Sequence, residues 1–423
     1  MRICFVSRRY WPAVSGMSAY AENLLRHLVR AGHDVTMISQ YRGDPAGRAV
    51  YGGGPPPPER VPAGVEVVAL EAHGEQEVVA GRPADFEADV EEMAATIARL
   101  HAGRPFDVLH AQYAYPNGLA VLRAAHRLAL PAVVSVQGGD GHWVGTCCDT
   151  HRDLVRAVFT HAPALVIGSP SFAAEVSARH DVDPDRWTIV SGATDTERFV
   201  PHREPGALGG VGGTQPPALL YHGRVDARKG VLDLLEAHRA LLDAGRTVRL
   251  VVSGIGPDSE LVAERVTELG LDAHVEQLGY TPYERAHEVY ARGDVFVSPT
   301  YAEGFSNTVL EAMASGLPVV STDVVGVRDC VRPDDNGVLV PAKDPRALAA
   351  AIARVLDDAA LREGIARRAL AEVRAVWSWP VIADRVTAVY DRAAERVREV
   401  PVPAIADPPI DPACRFRAAP HLL

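Results

Sequence analysis

The apolar pattern between residues 294 and 316 changes period once, and that change constrains the fold more than any other stretch of the chain. Residues 294–299 form a short run in which Val295, Phe296 and Val297 suit a buried strand. After Ser306 the apolar residues Val309, Leu310, Met313 and Ala314 recur at helical spacing, and Gly316 followed by Pro318 marks the stop. Ser306 is a good N-cap, so the sequence predicts a strand, a turn containing Glu303, Gly304 and Phe305, and then a helix. The first amides of that helix, at Asn307 and Thr308, have no intrahelical partner, and a helix start of this kind binds anions, phosphate above all. Glu303 sits in the turn and Glu311 lies inside the helix. Two carboxylates there would repel a phosphate, so they are better placed to accept hydrogen bonds from hydroxyls on either side of it. A ribose diol, a diphosphate and a hexose in a row have that shape. Taken alone, the pair also reads as a loop acid and a solvated helix carboxylate.

The same alternation runs through the chain. Residues 3–7 read as a strand, the helix signals from 15–18 to 31 follow, and residues 35–39 read as the next strand. Strands over 65–70, 108–111, 132–136 and 164–167 alternate with helices over 86–101, 120–129 and 171–179. Residues 41–62 are rich in glycine and proline and read as a surface excursion. This pattern predicts a parallel, doubly wound α/β domain over residues 1–200. Residues 201–217, PHREPGALGGVGGTQPP, carry few apolar side chains and read as an interdomain linker; their GGVGG lacks the strand and helix a phosphate loop needs. A second α/β series fills 218–376, with strands over 218–222, 248–253, 274–277 and from 295. A last helix over 377–398 and a proline-rich, loose tail over 399–423 complete the chain.

Among 423 residues, 47% are apolar and 23% charged, an ordinary globular mixture long enough for two or three domains. A net charge of −11 disfavours extended contact with nucleic acid or anionic lipid. No uninterrupted apolar span of about 18 residues occurs, so neither secretion nor membrane spanning is supported. Five cysteines, at 4, 147, 148, 330 and 414, show no framework spacing, which predicts reduced thiols in a cytoplasmic protein. Of 43 basic residues only Lys229 and Lys343 are lysine.

Further constellations lie at predicted strand ends. GRVDARKG, from Gly223 to Gly230, puts Arg224 and Lys229 in a strand-to-helix turn, where two permanent charges can face one dianion as it leaves. A solvated basic loop is the alternative reading. SGIGPDS places Gly254 and Gly256 in a turn of the same type without the dinucleotide spacing. QGGDGHWVG projects Gln137, Asp140 and His142 from a strand's carboxyl end. His142, Cys147, Cys148 and His151 make a loose cluster whose adjacent cysteines fit a zinc site poorly, and no metal is expected. Asp181, Asp183 and Asp185 beside Pro184 read as a turn.

With GRVDARKG and EGFSNTVLEAMASGLPVV on two α/β domains, the chain resembles the retaining GT-B glycosyltransferases of the GT4 family. SGMSAYAENLLRHLVRAGHDV, SGATDTERFVP, GDVFVSPTYAEGFSN and WSWPVIADRVTAVY extend the resemblance over residues 1–398. It implies two Rossmann-like domains facing a central cleft, with the last helix crossing back to the first. It further implies that Arg224 and Lys229 hold a donor diphosphate, with the amides at Asn307 and Thr308 completing the cradle. Glu311 would take the ribose hydroxyls, Glu303 the transferring sugar, and Gly16 would lie beside diphosphate and acceptor. The base pocket would fall near residues 279–283, including Tyr280. Gln137 stands where many relatives carry a histidine thought to touch the donor's 6-hydroxyl, and the usual double glycine is here Gly16 and Met17.

The expectation is a cytoplasmic, metal-independent transferase without nucleic-acid partner or further cofactor. It would move a sugar from a nucleotide-diphosphate sugar, UDP-linked, to a small polar acceptor in secondary metabolism, with retention. One alternative is a membrane-surface enzyme using Arg8, Arg9, Tyr10, Trp11, Arg26 and Arg30. The other is a silent nucleotide-sugar-binding module, for which Gln137 is the hint.

Overall fold

A computed structural model describes residues 1–41, 53–74, 86–209, 215–406 and 414. The chain divides into two compact units, Met1–Ser191 with Ile382–Leu423, and Gly192–Val381.

Unit 1 is built on seven parallel strands, β1 (Arg2–Ser7), β2 (Asp34–Tyr41), β3 (Val65–Glu71), β4 (Val108–Gln112), β5 (Ala132–Val136), β6 (Ala164–Ile167) and β7 (Trp187–Ile189), in the order β3-β2-β1-β4-β5-β6-β7. Residues 2–7 of β1 are all buried, as a central strand covered on both faces requires, whereas the edge strand β3 is largely half-exposed or exposed. From Ile382 the helix Trp379–Glu399 belongs to this unit, where Tyr390 Oη lies 2.8 Å from His110 Nδ1.

Unit 2 carries six parallel strands, β8 (Ala218–His222), β9 (Arg249–Ser253), β10 (Val275–Gly279), β11 (Val295–Ser298), β12 (Val319–Thr322) and β13 (Val338–Val340), in the order β10-β9-β8-β11-β12-β13. Successive side chains point to opposite faces, and the core divides accordingly. Leu219, Leu250, Val295 and Val320 pack with Leu234 and Ile352 on one face. Leu220, Val251, Phe296 and Val319 pack with Leu310 and Met313 on the other.

Three short strands, β7, β12 and β13, and the helix Asp149–His161 were not expected from the sequence. The strands hold three or four residues each, too few to show a period. The helix begins at a cysteine rather than an ordinary capping residue, Cys148, whose Sγ accepts from the His151 amide.

The expected boundary at residues 201–217 is corrected. The second unit begins at Gly192, and the described part of the supposed linker is packed onto it. Gly206 N donates to Gly316 O at 3.0 Å, Gly209 N donates to Asp294 Oδ1 at 3.0 Å, and Arg362 Nε donates to Gly206 O at 2.8 Å. Low apolar content did not free this segment, because its backbone groups are held by hydrogen bonds, two of the three from the Asp294 and Arg362 side chains of unit 2. Residues 210–214, most of the GGVGG run, lie outside the described residues. The described parts of the tail are also held: Val402 and Cys414 are buried, and the Val402 carbonyl lies 2.7 Å from His126 Nδ1. Among the described residues no helix is long and apolar enough to cross a membrane.

Candidate functional site

In unit 2 the chain leaves β8 for β9 on one side and β11 for β12 on the other. Where winding reverses in an open parallel sheet, the loops after two adjacent strands part and leave a crevice at their carboxyl ends. The two segments singled out from the sequence, 223–230 after β8 and 299–306 after β11, start at that reversal.

Backbone contacts stitch them together. Tyr301 N donates to Arg228 O at 2.9 Å, Gly223 N to Ser253 O at 3.0 Å, and Gly254 N to Gly279 O at 2.8 Å. Two glycines permit the approach. Gly230 has φ +70°, and a Cβ there would sit 1.9 Å from Pro299 O; Gly254 has φ +135°, and its Cβ would sit 1.7 Å from Gly223 O. The last of these bonds also draws Tyr280, which is 43% exposed, to the Gly254 turn.

Lys229 Nζ donates to Glu303 Oε1 at 2.7 Å, joining the two segments by an ion pair. Arg228 holds Asp226 by a 2.7 Å contact and Arg224 Nε lies 3.4 Å from the same carboxylate oxygen. The Arg228 hydrogen bond, helped by the charge of Arg224, keeps the Asp226 carboxyl down at about 2. Three cations thus cluster at the turn after β8.

Helix Asn307–Ala314 starts where the pattern placed it, with Ser306 extended at the N-cap position. The Ser306 hydroxyl makes no capping bond to the helix; it lies 3.5 Å from Thr308 Oγ1. The first-turn amides are therefore left to a ligand or to solvent. Gly304 is buried in the preceding turn, and Phe305 packs edge-on against Trp377, centroids 6.0 Å apart.

Glu311 is not a solvated helix carboxylate: it is only 8% exposed and accepts from Tyr290 Oη at 2.7 Å. Burial pushes its carboxyl up to about 7, against the pull of the Tyr290 hydrogen bond and the Arg198 charge.

Arg198 and Tyr290 were not singled out from the sequence. Arg198 comes from the SGATDTERFVP segment, which the reading by composition left in the first domain. In the structure that segment belongs to unit 2, tied by Thr194 N to Trp377 O at 2.9 Å. Asp195 Oδ1 accepts from the Arg198 amide at 3.1 Å, and the guanidinium lies 4.9 Å over the Tyr283 ring. A charged Asp-Thr-Glu-Arg run beside an apolar Phe was the available signal.

In unit 1, Gly16 opens the helix Gly16–Arg30, and a Cβ there would meet nothing within 4 Å, so the chain's own packing does not demand glycine. The Gln137 side chain bonds with Tyr20. Asp140 does not project toward a ligand. It is fully buried and accepts from the amides of Ala114 at 2.8 Å and of Gln137 and Gly138 at 2.9 Å. His142 Nδ1 is likewise engaged by Glu175 at 2.9 Å. Asp183 accepts from the Asp185 amide at 3.0 Å, a turn as expected.

Three of the six residues considered for a membrane surface are interior. Arg8, Tyr10 and Trp11 are each 3% exposed; Arg8 lies over Tyr113, Trp11 Nε1 donates to Glu22 at 2.6 Å, and Arg26 pairs with Glu22. Arg9 and Arg26 are half-buried and Arg30 is exposed, so Arg8, Tyr10 and Trp11 are the ones the interior withdraws from such a surface.

Two family descriptions match the chain, "Glycosyl transferase 4-like domain" over residues 15–193 and "Glycosyl transferases group 1" over residues 216–358. A D-inositol 3-phosphate glycosyltransferase of Catenulispora acidiphila is 30% identical over 72% of this chain and 77% of its own. A glycogen synthase of Mycobacterium tuberculosis is 26% identical over 96% and 98%. Among solved structures, Anabaena HepE in complex with UDP superposes with TM-score 0.71 at 17% identity, covering 92% of this chain and 100% of that one.

Proposed function

The chain belongs to the GT-B glycosyltransferases of the GT4 family, and from that premise we propose that it transfers a sugar from a UDP-sugar to a hydroxyl of a small polar acceptor, with retention of anomeric configuration. The observation that carries the donor assignment is the Lys229–Glu303 pair at the strand reversal, with an uncapped helix start one turn away. The diphosphate lies against Arg224, Lys229 and the amides of Asn307 and Thr308. Glu311, set one to two turns deeper, accepts from the ribose diol, and Glu303 from the hydroxyls of the transferring sugar. The base stacks near the Gly254 turn and Tyr280.

In the reaction the bond between the anomeric carbon and the diphosphate oxygen breaks, and the acceptor oxygen bonds to that carbon on the same face. The acceptor hydroxyl's proton passes to the departing phosphate oxygen. The leaving group gains charge, which Arg224 and Lys229 stabilise; orientation and fixed charge then supply most of the acceleration, with no metal required. The UDP complex of HepE supports the uridine nucleotide, and the inositol phosphate relative supports a cyclitol or sugar acceptor.

Turnover of Lys229→Ala and Glu311→Ala against wild type, in a panel of UDP-, GDP- and ADP-sugars with mixed acceptors, tests this reading. Loss of one preorganised charge contact is expected to lower the rate about 100- to 1,000-fold. Near-normal rates in both variants would remove the site assignment. Tight UDP binding without transfer or hydrolysis would favour the silent binding module instead.

A further inference from the structure

Four potential metal ligands meet in unit 1, three from residues 147–151 and one 263 residues on from His151. Cys147, Cys148, His151 and Cys414 each present one ligand atom, and these atoms all lie within 4.8 Å of one another. His151 Nδ1 is 3.5 Å from Cys147 Sγ, 3.2 Å from Cys148 Sγ and 3.2 Å from Cys414 Sγ. We propose that these four residues form a structural zinc site that pins the C-terminal segment to unit 1.

The geometry suits the ion. With Zn–S near 2.3 Å and Zn–N near 2.0 Å, the edges of a tetrahedral site are about 3.5–3.8 Å long, close to the separations His151 makes. Three thiolates and one imidazole are a donor set that selects zinc over harder cations. All three sulfurs are free thiols, so no disulfide uses them.

The local fold presents the ligands. Cys148 is the N-cap of the helix Asp149–His161 and its Sγ accepts from the His151 amide at 3.5 Å, so residues 148 and 151 share one side of the first turn. The His151 ring stands edge-on to Tyr115, centroids 4.9 Å apart. Cys414 is 2% exposed although it follows a proline-rich stretch of sequence, and Val402 is already docked at His126. Burial of a single apolar thiol does not require three other ligand atoms around it; a shared cation does.

The sequence alone grouped His142 with these residues and argued against zinc. The structure removes His142, which is held by Glu175 and packed at a tilt against Phe172, centroids 4.5 Å apart, and supplies Cys414 in its place. The site is in unit 1, whereas Arg224, Lys229 and Glu311, assigned to the diphosphate and ribose, are in unit 2. Zinc here is therefore a fastening, not a reagent, and its uptake releases protons from the thiols.

The full-length chain, purified under reducing conditions without chelator, should hold about one zinc per chain by elemental analysis. Refilling with cobalt should give the visible absorption of a tetrahedral thiolate site. Cys414→Ser and the double variant Cys147→Ser/Cys148→Ser should lose metal to a competing chelator at least about tenfold more readily. Cys414 lies outside every strand and helix, so Cys414→Ser should keep the wild-type circular dichroism, which separates ligand loss from unfolding. Three outcomes overturn the proposal: wild type that takes up neither zinc nor cobalt when reduced, Cys414→Ser that retains metal as well as wild type, or peptide mapping that finds Cys414 disulfide-bonded to Cys147 or Cys148.

Discussion

Tyr290 gives its hydroxyl hydrogen to Glu311 Oε2 across 2.7 Å, with both side chains buried beneath the start of the helix Asn307–Ala314. Burial raises the Glu311 carboxyl from its ordinary value of 4.5 to about 7, so the folded chain binds that proton more tightly than the unfolded one. The resulting stabilisation is complete below about pH 4.5 and is lost as pH rises through 7, a total of about 3 kcal/mol. Glu311→Gln should abolish this segment of the pH dependence. Urea midpoints of both proteins at pH 5 and pH 8 measure it, and parallel behaviour would count against the buried carboxyl.

Ligand binding should read the same proton. A ribose diol donates to an ionised Glu311, so UDP affinity should rise between pH 6 and pH 8, by up to about tenfold per unit below the carboxyl's pKa. Glu311→Gln should bind UDP weakly and without that slope. Calorimetric titration at three pH values distinguishes the cases; a slope preserved in the variant would assign it elsewhere.

Tyr290→Phe removes the donor and leaves Glu311 buried without it. The carboxyl should rise further, and the fold should lose about 1–3 kcal/mol at pH 8, less at pH 5 where the carboxyl is protonated. Equal losses at both pH values would mean that packing, not the hydrogen bond, was what the hydroxyl provided.

Gly230→Ala tests the backbone junction. A side chain at φ +70° is strained, and the new Cβ would stand 1.9 Å from Pro299 O, so loop 223–230 or loop 299–306 must move. A loss of about 2–4 kcal/mol together with weakened nucleotide binding is expected from thermal shift with and without UDP. Unchanged binding would show that the two loops do not act together.

Asp140→Ala should be costly to the fold. Three amides, those of Ala114, Gln137 and Gly138, lose a shared acceptor inside the protein, worth about 3 kcal/mol together. Chemical denaturation measures it; a loss under about 1 kcal/mol would mean that water replaces the carboxylate.

Much of this protein was legible in one dimension. The strands 132–136, 164–167 and 218–222 lie where the apolar runs placed them, and the period change at Ser306 marks the true start of the helix. Local chemistry was enough there, because a strand buried on both faces must be apolar and a helix must keep its 3.6-residue face. The sequence likewise placed Lys229 and Glu303 at the ends of strands whose turns would share an edge.

What it could not carry was any relationship set by long-range closure. Residues 192–199 belong to unit 2, where Thr194 N bonds to Trp377 O, a contact between segments far apart in sequence, and so Arg198 was missed. Asp140 and Trp11 looked like surface chemistry until the fold enclosed them, since burial is a property of neighbours rather than of residue type. Cys414 looked like the end of a loose tail. The amino-acid order determined the alternating architecture and the donor-side motif by itself, because those arise from interactions within about 20 residues. Only the tertiary structure decided which carboxylates are buried and which sulfurs meet one imidazole, because His151 and Cys414 are 263 residues apart and only the folded chain brings them together.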